Sequence, residues 1–238
     1  MNKGMSYGYN WNFYGSAWHL LRFLGYHREY FTGRVCSAAG IDAVRWLDYS
    51  FQGRSGGDGR ISGVDFLNGA NSHEQKALTA WEESWPSHAA ACHWDAVGRA
   101  VARDRTREWI LVEASASVDD LRSSCPMQGP GSIQRLSDTI SRTAGDLGEG
   151  RIDPWISEYY RFAVSLAILD CLTRSGVNAR LLQIFFCGDS RPDAHFCPPD
   201  RRSWKPAIMR RYRRLGIGEG TGGILERVHR IFINVNGR

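Results

Sequence analysis

Two acidic residues stand in segments that are otherwise apolar. Asp95 lies in His93-Trp-Asp-Ala-Val-Gly-Arg99, and Glu113 lies in Trp109-Ile-Leu-Val-Glu-Ala-Ser-Ala-Ser117. A carboxylate taken out of water without a partner is costly, so each needs a cation, a hydrogen-bond donor or a metal. The two segments read as the arms of a β-hairpin, His93 to Val101 and Arg107 to Ala114, with the polar Arg103-Asp-Arg-Thr106 between them. A turn over Arg103 to Arg105 puts Asp95 directly opposite Glu113, on one sheet face with close Cβ atoms. Like charges at that separation repel, and a divalent cation removes the repulsion. The plainer alternative is that each acid pairs with an arginine, such as Arg99 or Arg107, at the end of a sheet.

Acid, strand turn, then Ile-Leu-Val-Glu-Ala is similar to the PD-(D/E)XK nuclease superfamily, the restriction-endonuclease-like fold. The resemblance implies that Asp95 and Glu113 bind Mg²⁺ or Mn²⁺. It places Ser115 where the family has the Lys that orients or activates the attacking water. Glu83, in Trp81-Glu-Glu-Ser-Trp85, resembles the additional helix-borne acid of some members. Over about the whole chain, the sequence also resembles a bacterial family with Trp-His-Leu-Leu-Arg near its start, a Trp-Asp-Ala-Val-Gly-Arg turn and then Val-Glu-Ala-Lys-Ala-His. Trp18-His-Leu-Leu-Arg22, Trp94 to Arg99 and Val112 to Ser117 match it except at the Lys and His positions.

The departure at Ser115 has a chemical consequence. A Lys ammonium stabilises the charge that builds up beside a phosphate under attack, and a serine hydroxyl carries no charge to do so. Arg99, Arg107 and Arg161, and more distantly Lys76, are candidates for a cation that takes its place. An arginine there stabilises charge but cannot serve as a base at neutral pH. The leading expectation is a Mg²⁺-dependent DNA endonuclease impaired by loss of the Lys. The alternative is a catalytically inactive nuclease-fold protein that binds nucleic acid or a protein partner. A homodimer is compatible with either.

The formal net charge is +5, and the excess is concentrated. Arg201, Arg202, Lys205, Arg210, Arg211, Arg213 and Arg214 fall on one segment. With Arg99, the residues Arg201, Arg202, Lys205, Arg210 and Arg211 are expected to hold phosphates, and a solvated helix face is the competing reading. Cys187, His195 and Cys197 form one loose cluster, short of the four ligands of a closed zinc site, so zinc is not expected. Gly216 to Gly223 is glycine-rich but follows a helix and lacks the Lys-Ser/Thr ending of a phosphate loop. His93, Tyr159 and Tyr160 read as packed side chains.

Periodicity supplies the elements that must hold these residues. Ser16 starts a helix with Trp18, Leu21, Phe23, Leu24 and Phe31 on its apolar face. A strand runs from Val44 to Phe51, and Gln52 to Arg60 is a glycine-rich loop. Asn71 or Ser72 opens a helix that Pro86 closes. After the hairpin come a helix through Ile133, Leu136, Ile140 and Leu147, a long helix from Pro154 to Ser175, and an apolar strand from Leu181 to Cys187. The basic helix and a strand from Val228 to Val235 complete the chain. This order predicts an α/β domain with a central mixed sheet flanked by helices. The resemblance implies that residues 71–238 form a restriction-endonuclease-like core, with residues 1–70 as an N-terminal extension packed on it.

At 238 residues and 42% hydrophobic, the chain can bury a large core. The start, MNKGMSYGYN, has no apolar run of the signal-peptide kind. Ala163 to Leu172, the longest apolar stretch, contains Ser165 and Asp170 and is too short to span a bilayer. A cytoplasmic protein with no membrane partner and buried free thiols is expected.

Overall fold

The computed structural model describes residues 15–47, 61–86, 92–126, 130–148, 151–189, 196–218 and 222–236. The Gln52 to Arg60 loop and His195 lie outside these residues. Five strands form one mixed sheet in the order β1 (Ile41–Trp46), β2 (Ala96–Ala102), β3 (Arg107–Ser115), β4 (Ala179–Cys187) and β5 (Val228–Asn234). The first two pairings are antiparallel and the last two parallel. Helices cover both faces, so the expected α/β class and flanked mixed sheet are observed.

The N-terminal segment does more than pack against the sheet, because it supplies the edge strand β1. It also supplies two helices, α1 (Ser16–Gly25) and α2 (Arg28–Ala39), where the sequence predicts one. The α1 and α2 side holds Phe23, Phe31, Ile110, Val112, Ile184, Phe186 and Ile231. The other face packs Trp109, Leu111, Leu181 and Phe185 against α3 (Ser72–Ser84), α4 (Pro130–Asp146), α6 (Tyr160–Arg174) and α7 (Arg201–Arg214). Even-numbered residues of β3 face the first layer, and odd-numbered ones face the second. Glu113 and Ser115 therefore point toward α6 and α7.

The helix ends follow local chemistry. The Asn71 side chain accepts the Glu74 N–H at 2.9 Å, and the Glu74 carboxylate accepts the Ala70 N–H at 3.3 Å. The first bond caps the opening turn of α3, and the second ties that turn to the residue before the cap. Asp200 caps α7 by accepting the Ser203 N–H at 2.8 Å.

The helix expected from Pro154 to Ser175 is broken in two, α5 (Asp153–Ser157) and α6. A non-local segment takes the hydrogen bonds at the break. Ser123 N–H donates to the Glu158 carbonyl at 2.9 Å, and the Ser123 carbonyl accepts the Tyr160 N–H at 2.9 Å. The Ser123 hydroxyl then accepts the Arg161 N–H at 2.8 Å. No local sequence signal marks this, since the cap comes from 38 residues away. No helix among the described residues is long and apolar enough to cross a membrane.

Candidate functional site

The hairpin has the expected register. Ala96 faces Val112 and Val101 faces Arg107, leaving Arg103 to Arg105 as the turn. Arg105 takes φ 65, the left-handed position that closes such a loop. Asp104 braces the turn by accepting the Thr106 hydroxyl at 2.7 Å and N–H at 2.9 Å, and these bonds hold its carboxyl below its ordinary value. At the other end, Asp95 N–H donates to the Val112 carbonyl at 3.0 Å, and Ala114 N–H donates to Asp95 Oδ2 at 2.6 Å. The pairing therefore brings Asp95 opposite Glu113.

What lies between the two acids is the guanidinium of Arg161. Its Nη2 donates to Asp95 Oδ2, and its Nε stands 3.8 Å from Glu113 Oε1. Arg161 sits in the first turn of α6, where the Ser123 cap sets its backbone. Burial alone would lower its pKa, but the Asp95 and Glu113 carboxylates outweigh burial and hold it above the usual arginine value. Arg161 is one of the cations named from sequence as candidates to approach the acid pair, and it is the one that contacts both acids. Arg99 is engaged elsewhere, donating to Glu74 at 3.1 Å and lying 4.2 Å over the Trp109 ring. Arg107 is exposed on the hairpin.

Glu113 is only 6% exposed, and both its oxygens have neutral donors. The Ser165 hydroxyl donates to Oε1 at 2.6 Å and the Gln183 amide to Oε2 at 3.2 Å. Gln183 faces Glu113 across the parallel β3/β4 pairing. Its own oxygen accepts from Arg211 Nη2 at 2.7 Å, which fixes the orientation of the amide. The Ser165 hydroxyl also lies 3.4 Å from the Cys92 sulfur. Burial, with the nearby Glu113 charge adding to it, pushes that thiol up to about 12, so it stays protonated.

The expected residues divide into those brought together and those kept apart. Asp95 and Glu113 meet at Arg161, and Ser115 lines an adjoining cleft with Glu113, Asp120, Arg161, Gln183 and Arg211, a lining that does not include Asp95. The space in this cleft is on the order of one water molecule. Glu83 is exposed on α3 and is absent from the cleft lining. The buried acid of that helix is Glu74, which serves Arg99. Arg201, Arg202, Lys205 and Arg210 are exposed on α7 as expected. Arg211 is not available for a phosphate: it is 2% exposed, stacked 4.1 Å over the Phe162 ring, and burial lowers its pKa. A helix with cationic residues on nearly every side must turn one of them inward.

Sequence reasoning missed Asp120, Ser165, Gln183 and the inward role of Arg211. Gln183 and Ser165 are single polar residues inside apolar runs, which is the signal that could have found them. Asp120 accepts the Ala116 N–H at 2.7 Å and the Ser117 N–H at 2.9 Å.

The donor set does not fit a divalent cation in this arrangement. Mg²⁺ requires about six oxygen ligands in near-octahedral geometry. Here both acids already accept hydrogen bonds, a guanidinium bridges them, and the described residues contain no group of three or more His, Cys, Asp or Glu placed to hold a metal. The fold and site define an α/β protein whose acid pair is bridged by an arginine of the same chain. No family model, curated protein or solved structure matches this chain.

Proposed function

We propose that this chain is a restriction-nuclease-like module that binds the phosphate backbone of DNA without hydrolysing it. The observation that carries the reading is the outer face of α7. Arg201, Arg202, Lys205, Arg210 and Arg213 are exposed there, and the helix contains no acid. Arg214 is the exception, since its guanidinium pairs with Glu158. A cationic face of this kind neutralises phosphates and releases counterions. Against hydrolysis stand Ser115 in the place of the family's Lys and Arg161 in the place of a metal.

The order helix, hairpin with two facing acids, helices and apolar strand supports the resemblance to the nuclease superfamily. The same acid register favours a second reading, a Mg²⁺-dependent DNA nuclease in which Arg161 swings aside.

One experiment separates the two. Binding of a duplex oligonucleotide is measured by fluorescence anisotropy across a salt series, in EDTA and in Mg²⁺, with plasmid cleavage followed on the same samples. The binding reading expects log K to fall with log [salt] with a slope of up to about −4, unchanged by Mg²⁺, and an intact plasmid. Replacing Arg202 or Lys205 with Ala should reduce the slope by about one. Metal-dependent nicking lost in Asp95→Ala would transfer the conclusion to the nuclease reading, and salt-insensitive or absent binding would remove both.

A further inference from the structure

We propose that Arg161 and a divalent cation are mutually exclusive occupants of the Asp95–Glu113 pair, so that Arg161, rather than the loss of a lysine at Ser115, keeps metal out. This refines the non-hydrolytic reading above and rests on it only for the identity of the fold.

The charge balance around Arg161 carries the inference. Arg161 contacts the Asp95 and Glu113 carboxylates, and the cleft that it lines with Glu113 adds the Asp120 carboxylate and the Arg211 guanidinium, three acids against two cations. The net charge is one negative. Arg211 cannot leave, because it is 2% exposed and tied to Gln183. Arg161 can, because 29% of its side chain is exposed and its only carboxylate partners among the described residues are the two acids themselves. Withdrawing it leaves a net charge of two negative, which one divalent cation neutralises. Adding the same cation with Arg161 in place instead leaves an excess positive charge in a partly desolvated site, an arrangement that repels the incoming ion.

Geometry leads to the same conclusion. Arg161 Nη2 uses Asp95 Oδ2, and its Nε lies nearest Glu113 Oε1. A metal shared by the two acids would need oxygens from the same pair. Ser115 brings a neutral hydroxyl to the cleft lining and adds no charge to the balance. The loss of the Lys thus bears on the chemistry of a bound water, whereas Arg161 bears on whether a metal enters.

The test uses Mn²⁺ alone as the probe, by isothermal titration and by the shift in thermal midpoint, on the parent chain, Arg161→Gln, Ser115→Lys and the double variant. The inference expects Arg161→Gln to bind Mn²⁺ at least about tenfold more tightly than the parent, with a midpoint that rises on metal addition. Ser115→Lys should gain nothing, and adding Asp95→Asn to Arg161→Gln should abolish the gain. Equal Mn²⁺ affinity in parent and Arg161→Gln, or a gain from Ser115→Lys alone, overturns it.

Arg161→Gln and the more apolar Arg161→Met both risk unfolding, because they leave two carboxylates uncompensated. Recovery of either fold when Mn²⁺ is present during refolding supports mutual exclusion, and failure to recover both overturns it. DNA binding in EDTA, measured on the same samples, reports separately on the proposed function. Its loss there leaves the metal result standing, and the reverse also holds.

Discussion

Arg161 donates to Asp95 through the same oxygen, Oδ2, that accepts the Ala114 N–H. One carboxylate oxygen therefore joins α6 to the backbone of β3. Asp95→Ala removes both bonds and leaves Arg161 facing Glu113 alone. Loss of one partner from a buried pair costs about 3–5 kcal/mol, and partial exposure of Arg161 reduces this to about 2–3 kcal/mol. A urea titration should show a lower midpoint at unchanged slope. An unchanged midpoint would mean that the pair contributes nothing to folding.

Arg211→Met distinguishes inward from outward cations on α7. Arg211 has no carboxylate within 4.0 Å among the described residues, and its Nε has no hydrogen-bond partner. Exchanging a poorly compensated buried charge for an apolar chain of similar length is often neutral or stabilising. Stability should change by less than about 1 kcal/mol, with Gln183 losing one hydrogen bond as the opposing effect. DNA affinity should match the parent, whereas Arg202→Ala weakens it. Loss of DNA affinity in Arg211→Met at intact stability would return Arg211 to the phosphate-binding set.

Gly98 packs against the edge strand of the sheet. A Cβ built there would stand 2.7 Å from Val44 Cγ2 and 3.1 Å from Trp46 Cε3. Gly98→Ala should force β1 away from β2 and cost about 1–3 kcal/mol, the usual range for overpacking. The thermal midpoint of the variant measures this. A midpoint at or above that of the parent would show that Val44 and Trp46 yield without cost.

His229 gives the fold a pH dependence of known sign. Burial, reinforced by Arg180, holds its pKa below the ordinary histidine value of 6.5. Its Nε2 lies 3.3 Å from Arg180 Nη1, where a neutral ring nitrogen can accept. As pH falls through 6.5, the unfolded chain takes up a proton that the folded chain resists, so stability present above that value is lost below it. The loss continues down to the folded pKa and then stops. It stays below about 1.4 kcal/mol per pH unit, since the ring is only half-buried and solvent screens it. Urea midpoints at pH 7.5 and 5.5 should fall further for the parent than for His229→Gln. Equal losses would mean that His229 does not contribute.

The parts of this architecture visible in the sequence are those set by neighbours along the chain. The turn at Arg103 to Arg105 needs only its own residues, and with strand alternation it fixes Asp95 opposite Glu113. Asn71 and Pro86 announce the ends of α3, and the run from Leu181 to Cys187, apolar but for Gln183, announces a strand covered on both sides. What the sequence hid depends on distant segments. The break before α6 comes from Ser123, and the guanidinium between the acids arrives with that helix. The inward turn of Arg211 depends on where Gln183 and Phe162 stand. The resemblance suggested Glu83 as a site residue, but helical phase leaves it exposed, and the acid that α3 turns inward is Glu74, which pairs with Arg99.

The parallel pairing of β3 with β4 also has a consequence for assembly. Glu113 and Gln183 are 70 residues apart along the chain, whereas the hairpin that places Asp95 opposite Glu113 closes over a few residues. Closing the short loop is entropically cheaper and faster than closing the long one. The acids can therefore meet while still in water, where their repulsion is weak. They lose that water only when the crossover delivers Ser165, Gln183 and Arg161 together. Amide exchange should then find the hairpin protected early in refolding and the start of α6 protected late.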